Sequence, residues 1–121
     1  MISFEIDDEQ RIVHVKPHGP LEAADFDLLA SAVDPVIEEE GDLAGLVIET
    51  ESFPGWKSLG AMIHHMAFIR DHHRHVRKVA LVTNTRLADV AETIAGHFVQ
   101  AEIRHFAAGE LAAAKEWIGA T

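Results

Sequence analysis

Three groups of side chains in this 121-residue chain have the types and spacing that chemistry would require. The first is a pair of carboxylates, Glu49 and Glu51, two apart after the apolar run Leu46-Val47-Ile48; they would project on the same side if the strand continues. Paired acids in opposed environments can divide acid and base work. Nothing in the sequence supplies the rest of a glycosidase or metal site, so the two read as solvated loop residues. The second group is the nine histidines, seven of them in residues 61–121. Asp71 and His75 are spaced i,i+4 and His72 and His75 i,i+3, so each pair could share a helix face. Zinc needs a third ligand and an organised supporting shell. His64 and His65 lie two turns upstream, and His14, His18, His97 and His105 could approach only through tertiary folding. With no His-Glu-x-x-His pattern, no metal is expected.

The third group is the loop Phe53-Pro54-Gly55-Trp56-Lys57-Ser58. Phe53 and Trp56 could form a lid over an apolar cavity, touch a membrane surface, or plug the end of the core. Ser58 suits the N-cap of a following helix. A phosphate or other anion at Ser58 would be favoured by the helix N-terminus and by Lys57. The absence of cysteine removes disulfides, thiolate catalysis and cysteine-held metals. No nucleophile elbow and no glycine-rich phosphate loop is present. The expectation is a domain with no catalytic residues and no cofactor.

The elements that would position these groups follow from periodicity. Phe4–Asp7 and Ile12–Lys16 read as a hairpin around the turn-prone Asp7-Asp8-Glu9-Gln10. Phe26, Leu29, Val33, Val36 and Ile37 recur at helical spacing from Glu22 to about Glu40, with Pro35 expected to kink or break the helix and Gly41 to close it. Leu43–Thr50 has the continuous apolar character of a strand buried on both faces. Ser58 then opens a helix whose inner stripe is expected to be Leu59, Met62, Ile63, Met66 and Ile69. A strand from Lys78 to Val82, a helix with Leu87, Val90, Ala91, Ile94 and Phe98 on one face, a strand Ala101–Phe106 and a helix Ala108–Ile118 complete the chain. The order is β-β-α-β-α-β-α-β-α in one domain spanning residues 1–121.

Composition narrows the partners. The net charge of −10 opposes binding to nucleic acid or anionic lipid. It is unevenly spread: residues 1–60 carry fourteen acidic and three basic side chains, residues 61–121 six acidic and seven basic. Arg70, Arg74, Arg77 and Lys78 could therefore form a local basic patch, or simply complement the dipole at a helix end. No apolar run approaches the roughly 20 residues that span a bilayer. The alternating N-terminus lacks a secretory pattern, so a soluble cytoplasmic protein is expected.

Several stretches in this order resemble the SpoIIAA-like proteins, which are related to the STAS domains of anti-sigma-factor antagonists. They are Asp25-Phe26 at the first helix, Gly55-Trp56 after the third strand, Lys78-Val79-Ala80-Leu81-Val82-Thr83, Ala101-Glu102-Ile103-Arg104-His105-Phe106, and Ala114 with Trp117-Ile118. The resemblance spans essentially the whole chain. It implies an α/β fold with a mixed sheet of about five strands and helices packed over it, a fold shared with the lipid-carrying CRAL-TRIO domains. In STAS antagonists a serine at the start of the helix after the third strand is phosphorylated within a pattern like Asp-Ser-x-Gly. Here the match is Lys57-Ser58-Leu59-Gly60, with lysine in place of the aspartate.

Two functional readings follow. One is a non-catalytic binding or regulatory domain that recognises a protein partner, with a homodimer also compatible. The other is a carrier or sensor of a small apolar ligand or lipid, lined by Phe53, Trp56, Leu59, Met62, Ile63 and Met66, with peripheral membrane contact as its extension. A small hydrolase using Glu49, Glu51 or a histidine ranks last.

Overall fold

The computed structural model describes residues 1–52, 54–84 and 102–120. Strands β1 (Ile2–Asp7) and β2 (Ile12–Pro17) form the antiparallel hairpin, with Phe4 opposite Val15 and Glu5 opposite His14. Helix α1 (Ala23–Glu40) leads to β3 (Leu43–Glu49), and helix α2 (Leu59–His72) leads through a single 3₁₀ turn, His73–His75, into β4 (Val76–Val82). Strand β5 (Glu102–Phe106) and helix α3 (Leu111–Gly119) follow. The five strands form one mixed sheet in the order β1-β2-β3-β4-β5, parallel from β2 onward. The helix expected across Leu87–Phe98 lies outside the described residues.

Each face of the sheet has its own core. Alternation along β2 sends Val13 and Val15 toward α1 and α2, where they meet Leu29, Val33, Leu46, Ile69 and Val79. The other parity sends Ile12, with Val47, Ala80, Val82 and Phe106, toward Ala114 and Ile118 of α3. β3 is central, flanked by β2 and β4, which is why its sequence reads as a continuous apolar run. Gly45 of β3 is where α3 comes closest: a Cβ there would stand 2.6 and 2.8 Å from Cδ1 and Cγ1 of Ile118.

Two local expectations are corrected. Of the kink or break expected at Pro35, the break is absent: α1 runs from Ala23 to Glu40 as one helix. Pro35 lies on the exposed side while Val33 is buried and Val36 and Ile37 pack against the core on either side of it, so packing carries the helix past the missing amide. Gly41 closes it as expected, at φ 88°, donating its N–H to the carbonyl of Ile37.

The second correction concerns α2. Leu59 and Ile63, expected on its inner stripe, are 69% and 56% exposed, while Ala61 and Ile69 are buried and Phe68 packs into the core. α2 carries apolar residues around most of its circumference, so spacing alone selects no face. Contact with α1 decides it. The ring of Phe26 stacks on His65 at 4.6 Å and meets Phe68 at 6.1 Å, which turns the Ala61–Phe68 side inward.

Candidate functional site

The carboxyl ends of β2, β3 and β4, where ligands of parallel α/β sheets are usually held, border a shallow cleft of about 500 Å³. Its walls include Lys16, His18, Glu49, Thr50, Glu51 and Ser52. Strand parity brings His14 and Lys16 of β2 to the same side as Glu49 of β3. His14 Nε2 lies 2.8 Å from Glu49 Oε1, and Lys16 Nζ lies 3.7 Å from the same oxygen. His14 and Glu49 are 12% and 25% exposed, so this bond is partly shielded from water.

Glu51 plays a different part. It is exposed, and its backbone carbonyl accepts from Thr83 Oγ1 at 3.0 Å and from the Asn84 amide at 3.1 Å, tying the loop to the end of β4. Thr50 Oγ1 donates to the Ser52 carbonyl at 2.8 Å, and His105 Nε2 lies 2.8 Å from the Thr83 carbonyl. The polar groups around the cleft are thus largely engaged in holding strand ends and loop together.

The loop between β3 and α2 is fastened at two places. Trp56 is half-buried; its Nε1 donates to His65 Nδ1 at 2.9 Å, and the residue forms a parallel bridge with Leu21. Leu21 in turn donates its amide to the Gly55 carbonyl and accepts from the Lys57 amide, both at 2.8 Å. Lys57 Nζ reaches Glu22 Oε1 at 3.1 Å, next to the start of α1. Ser58 is the N-cap of α2, its hydroxyl oxygen accepting from the Ala61 amide at 3.1 Å. The anion candidates therefore occupy structural positions: Ser58 caps and Lys57 is ion-paired. Phe53 lies outside the described residues.

Of the expected ligand-lining set, Trp56 and the half-buried Met62 and Met66 pack against the protein, whereas Leu59 and Ile63 face solvent from the first turns of α2. The apolar void enclosed between α1, α2 and the sheet is lined by Leu29, Val33, Leu46, Phe68, Ile69 and Val76 among others. It measures about 20 Å³, room for a single water.

Among the described residues, several of the histidines and basic residues have separate partners. His72 Nε2 meets Asp34 of α1 at 2.6 Å, with His72 Nδ1 2.7 Å from the Phe68 carbonyl; His75 Nδ1 meets Asp42 at 3.0 Å. Arg70 bonds Asp71 at 3.1 Å. Lys78 belongs to the opposite face of the sheet, donating to the carbonyls of Trp117 and Ala120 at 2.9 and 2.8 Å. Sequence spacing could not find these links, because each joins positions at least 33 residues apart except the two local ones; only the shared parity of His14 and Lys16 on β2 was visible beforehand.

Comparison with known proteins matches the fold and the sequence. The sequence profile of the SpoIIAA-like family fits residues 12–119. The chain belongs to the SpoIIAA-like family. A crystal structure from Shewanella loihica PV-4, described as an uncharacterized protein from the DUF3478 family with a SpoIIAA-like fold, superposes with a TM-score of 0.76. It shares 19% identity, over 97% of this chain and 93% of that one. No curated protein matches the chain. Among the described residues of this SpoIIAA-like domain, no helix is long and apolar enough to cross a membrane.

Proposed function

We propose that this SpoIIAA-like domain is a non-catalytic binding module that recognises a protein partner through the first two turns of α2. The observation that carries this reading is the exposure of Leu59 and Ile63, 69% and 56%, one turn apart on the same helix face. Large apolar side chains grouped on a surface cost solubility and mark contact sites more often than isolated ones do. The surface is presented rigidly, because Ser58 caps the helix, Trp56 is bonded to His65 of α2 and Lys57 ties the preceding loop to Glu22 at the start of α1. The non-catalytic part is supported by the cleft at the strand ends, where Glu49 is bonded to His14 and the Thr50 and Thr83 hydroxyls are bonded to backbone carbonyls.

The carrier reading has weaker support. The apolar void under α1 and α2 is too small for a lipid, and two of the six expected lining residues point outward.

The test is affinity capture with the wild-type chain and with the double variant L59Q/I63Q, which keeps helix propensity while removing both apolar contacts. A partner retained by the wild type and lost from the variant at equal Tm supports the reading. Identical capture by both, or an unfolded variant, would sink it: the second outcome would mean that the two side chains are core. Native mass spectrometry of the freshly purified protein would reveal a co-purifying apolar mass if the carrier reading were correct.

A further inference from the structure

We propose that the outer edge of β1, which no described strand covers, pairs with β1 of a second copy about a two-fold axis midway between the two Phe4 residues, joining two sheets into one. This surface is separate from the α2 surface described above, and either can fail without the other.

The direction of the backbone groups on β1 comes from its pairing with β2. The His18 amide donates to the Met1 carbonyl at 2.8 Å, and Ile2 lies opposite Pro17. In an antiparallel ladder, hydrogen-bonded pairs alternate with non-bonded ones. Met1, Ser3, Glu5 and Asp7 therefore turn their backbone groups toward β2. The N–H and C=O of Ile2, Phe4 and Ile6 turn to the open side. Strand β1 is the end strand of the sheet, six residues long. It contains no proline and no inward-facing charge, two devices that commonly protect an open edge.

The register follows from counting. A two-fold axis perpendicular to the sheet pairs residues of equal parity, so three registers bring together at least two of the three open residues of each copy. Placing Phe4 opposite its own copy pairs Ile2 with Ile6 on both sides and uses all the open groups, making six backbone hydrogen bonds. Shifting by two residues in either direction leaves two of the three open residues of each copy paired. One of those shifts also sets Glu5 against Glu5. In the Phe4-centred register Glu5 faces Ser3 and Asp7 faces Met1, so no like charges stand directly opposite.

The side chains agree. Ile2, Phe4 and Ile6 are only half-buried against the α1 side of the core, and pairing would bury them together as Ile-Ile and Phe-Phe contacts. On α1, Asp27 and Asp34 face α2 and Leu29 and Val33 face the sheet, and Leu28, 57% exposed, lies on neither of those sides.

The test uses Ser3, whose exposed side chain can be changed without touching either core. Sedimentation equilibrium of the full chain should give a reversible dimer. S3A should dimerise like the wild type. S3E sets a carboxylate opposite Glu5 twice per dimer and should weaken association roughly 2- to 30-fold, while S3K should tighten it. All three lose the Ser3 Oγ to His18 Nε2 bond of 2.6 Å, so comparison among them isolates the charge.

The register is tested in the same cysteine-free background. Ser3 and Glu5 of opposing copies form a close non-hydrogen-bonded pair, about 4.5 Å between Cα atoms, within disulfide reach. S3C/E5C should oxidise to a covalent dimer, and S3C or E5C alone should not. A chain that sediments as a monomer at every concentration, or a dimer that is indifferent to S3E and S3K and does not cross-link, overturns the proposal.

Discussion

Gly45 concentrates the packing of the α3 face into one residue. It sits in the central strand, where any side chain must share space with Ile118, and its φ is not one that demands glycine; the constraint is steric. G45A should therefore destabilise the protein by about 1–3 kcal/mol, as overpacked cores do. The mechanism has a signature beyond the loss itself. Replacing Ile118 by alanine removes Cγ1, Cγ2 and Cδ1, the atoms in the way, so G45A should cost less in an I118A background than in the wild type. Urea titration of the four proteins of that cycle measures the coupling, and strict additivity would mean that α3 moves away as a unit instead of clashing locally.

At the scale of elements, α3 is nine residues long, too short to be stable alone, and its exposed end is completed by another element. Lys78 of β4 donates to two of its last carbonyls and places its ammonium 5.0 Å from the ring centre of Trp117. K78M keeps the apolar stem but removes both hydrogen bonds and the cation–π contact. It should lower stability by about 1–2 kcal/mol and shift Trp117 fluorescence; an unchanged urea midpoint would show that water replaces the lysine without loss.

Lys78 also marks the boundary of what the sequence made legible. The hairpin, α1, both central strands and the inward Leu111, Ala114 and Ile118 of α3 could be read from periodicity, because each depends on residues near one another in the chain. Partnerships such as Lys78 with Trp117, or His72 with Asp34, are set by which elements become neighbours, and spacing within one helix carries no record of that. For this reason spacing could not decide between the alternatives for Arg70, Arg74, Arg77 and Lys78, a local basic patch or complement to a helix-end dipole; Lys78 lies on the α3 face of the sheet, away from Arg70 of α2. The inner stripe of α2 was only partly legible: of Leu59, Met62, Ile63, Met66 and Ile69, Ile69 is buried and Met62 and Met66 are half-buried, but Leu59 and Ile63 are exposed, and the Phe26 ring on α1 turns the Ala61–Phe68 side inward instead. The position of the loop before α2 was legible, while its anchoring by Trp56 to His65 was not.

At the scale of the whole molecule, the charge distribution sets how two kinds of association respond to salt. A chain of net charge −10 repels its own copy at distances beyond contact, and in the β1-paired dimer the two Glu5 side chains lie diagonally across the axis. Both repulsions are screened by ions, with a range that shrinks from about 30 Å at 0.01 M to about 10 Å at 0.1 M. The backbone hydrogen bonds and the Ile2, Phe4 and Ile6 contacts that would hold the dimer are not weakened in this way. Dimerisation should therefore strengthen as salt is raised from about 0.01 M to about 0.1 M, and S3K should flatten that dependence because its lysines offset the two glutamates. A partner drawn to the acidic first half of the chain would respond in the opposite sense, its affinity falling over the same range. Sedimentation of the wild type and S3K at both ionic strengths separates the two. A self-association that weakens with salt would mean that opposite charges, and not the β1 edge, bring the copies together.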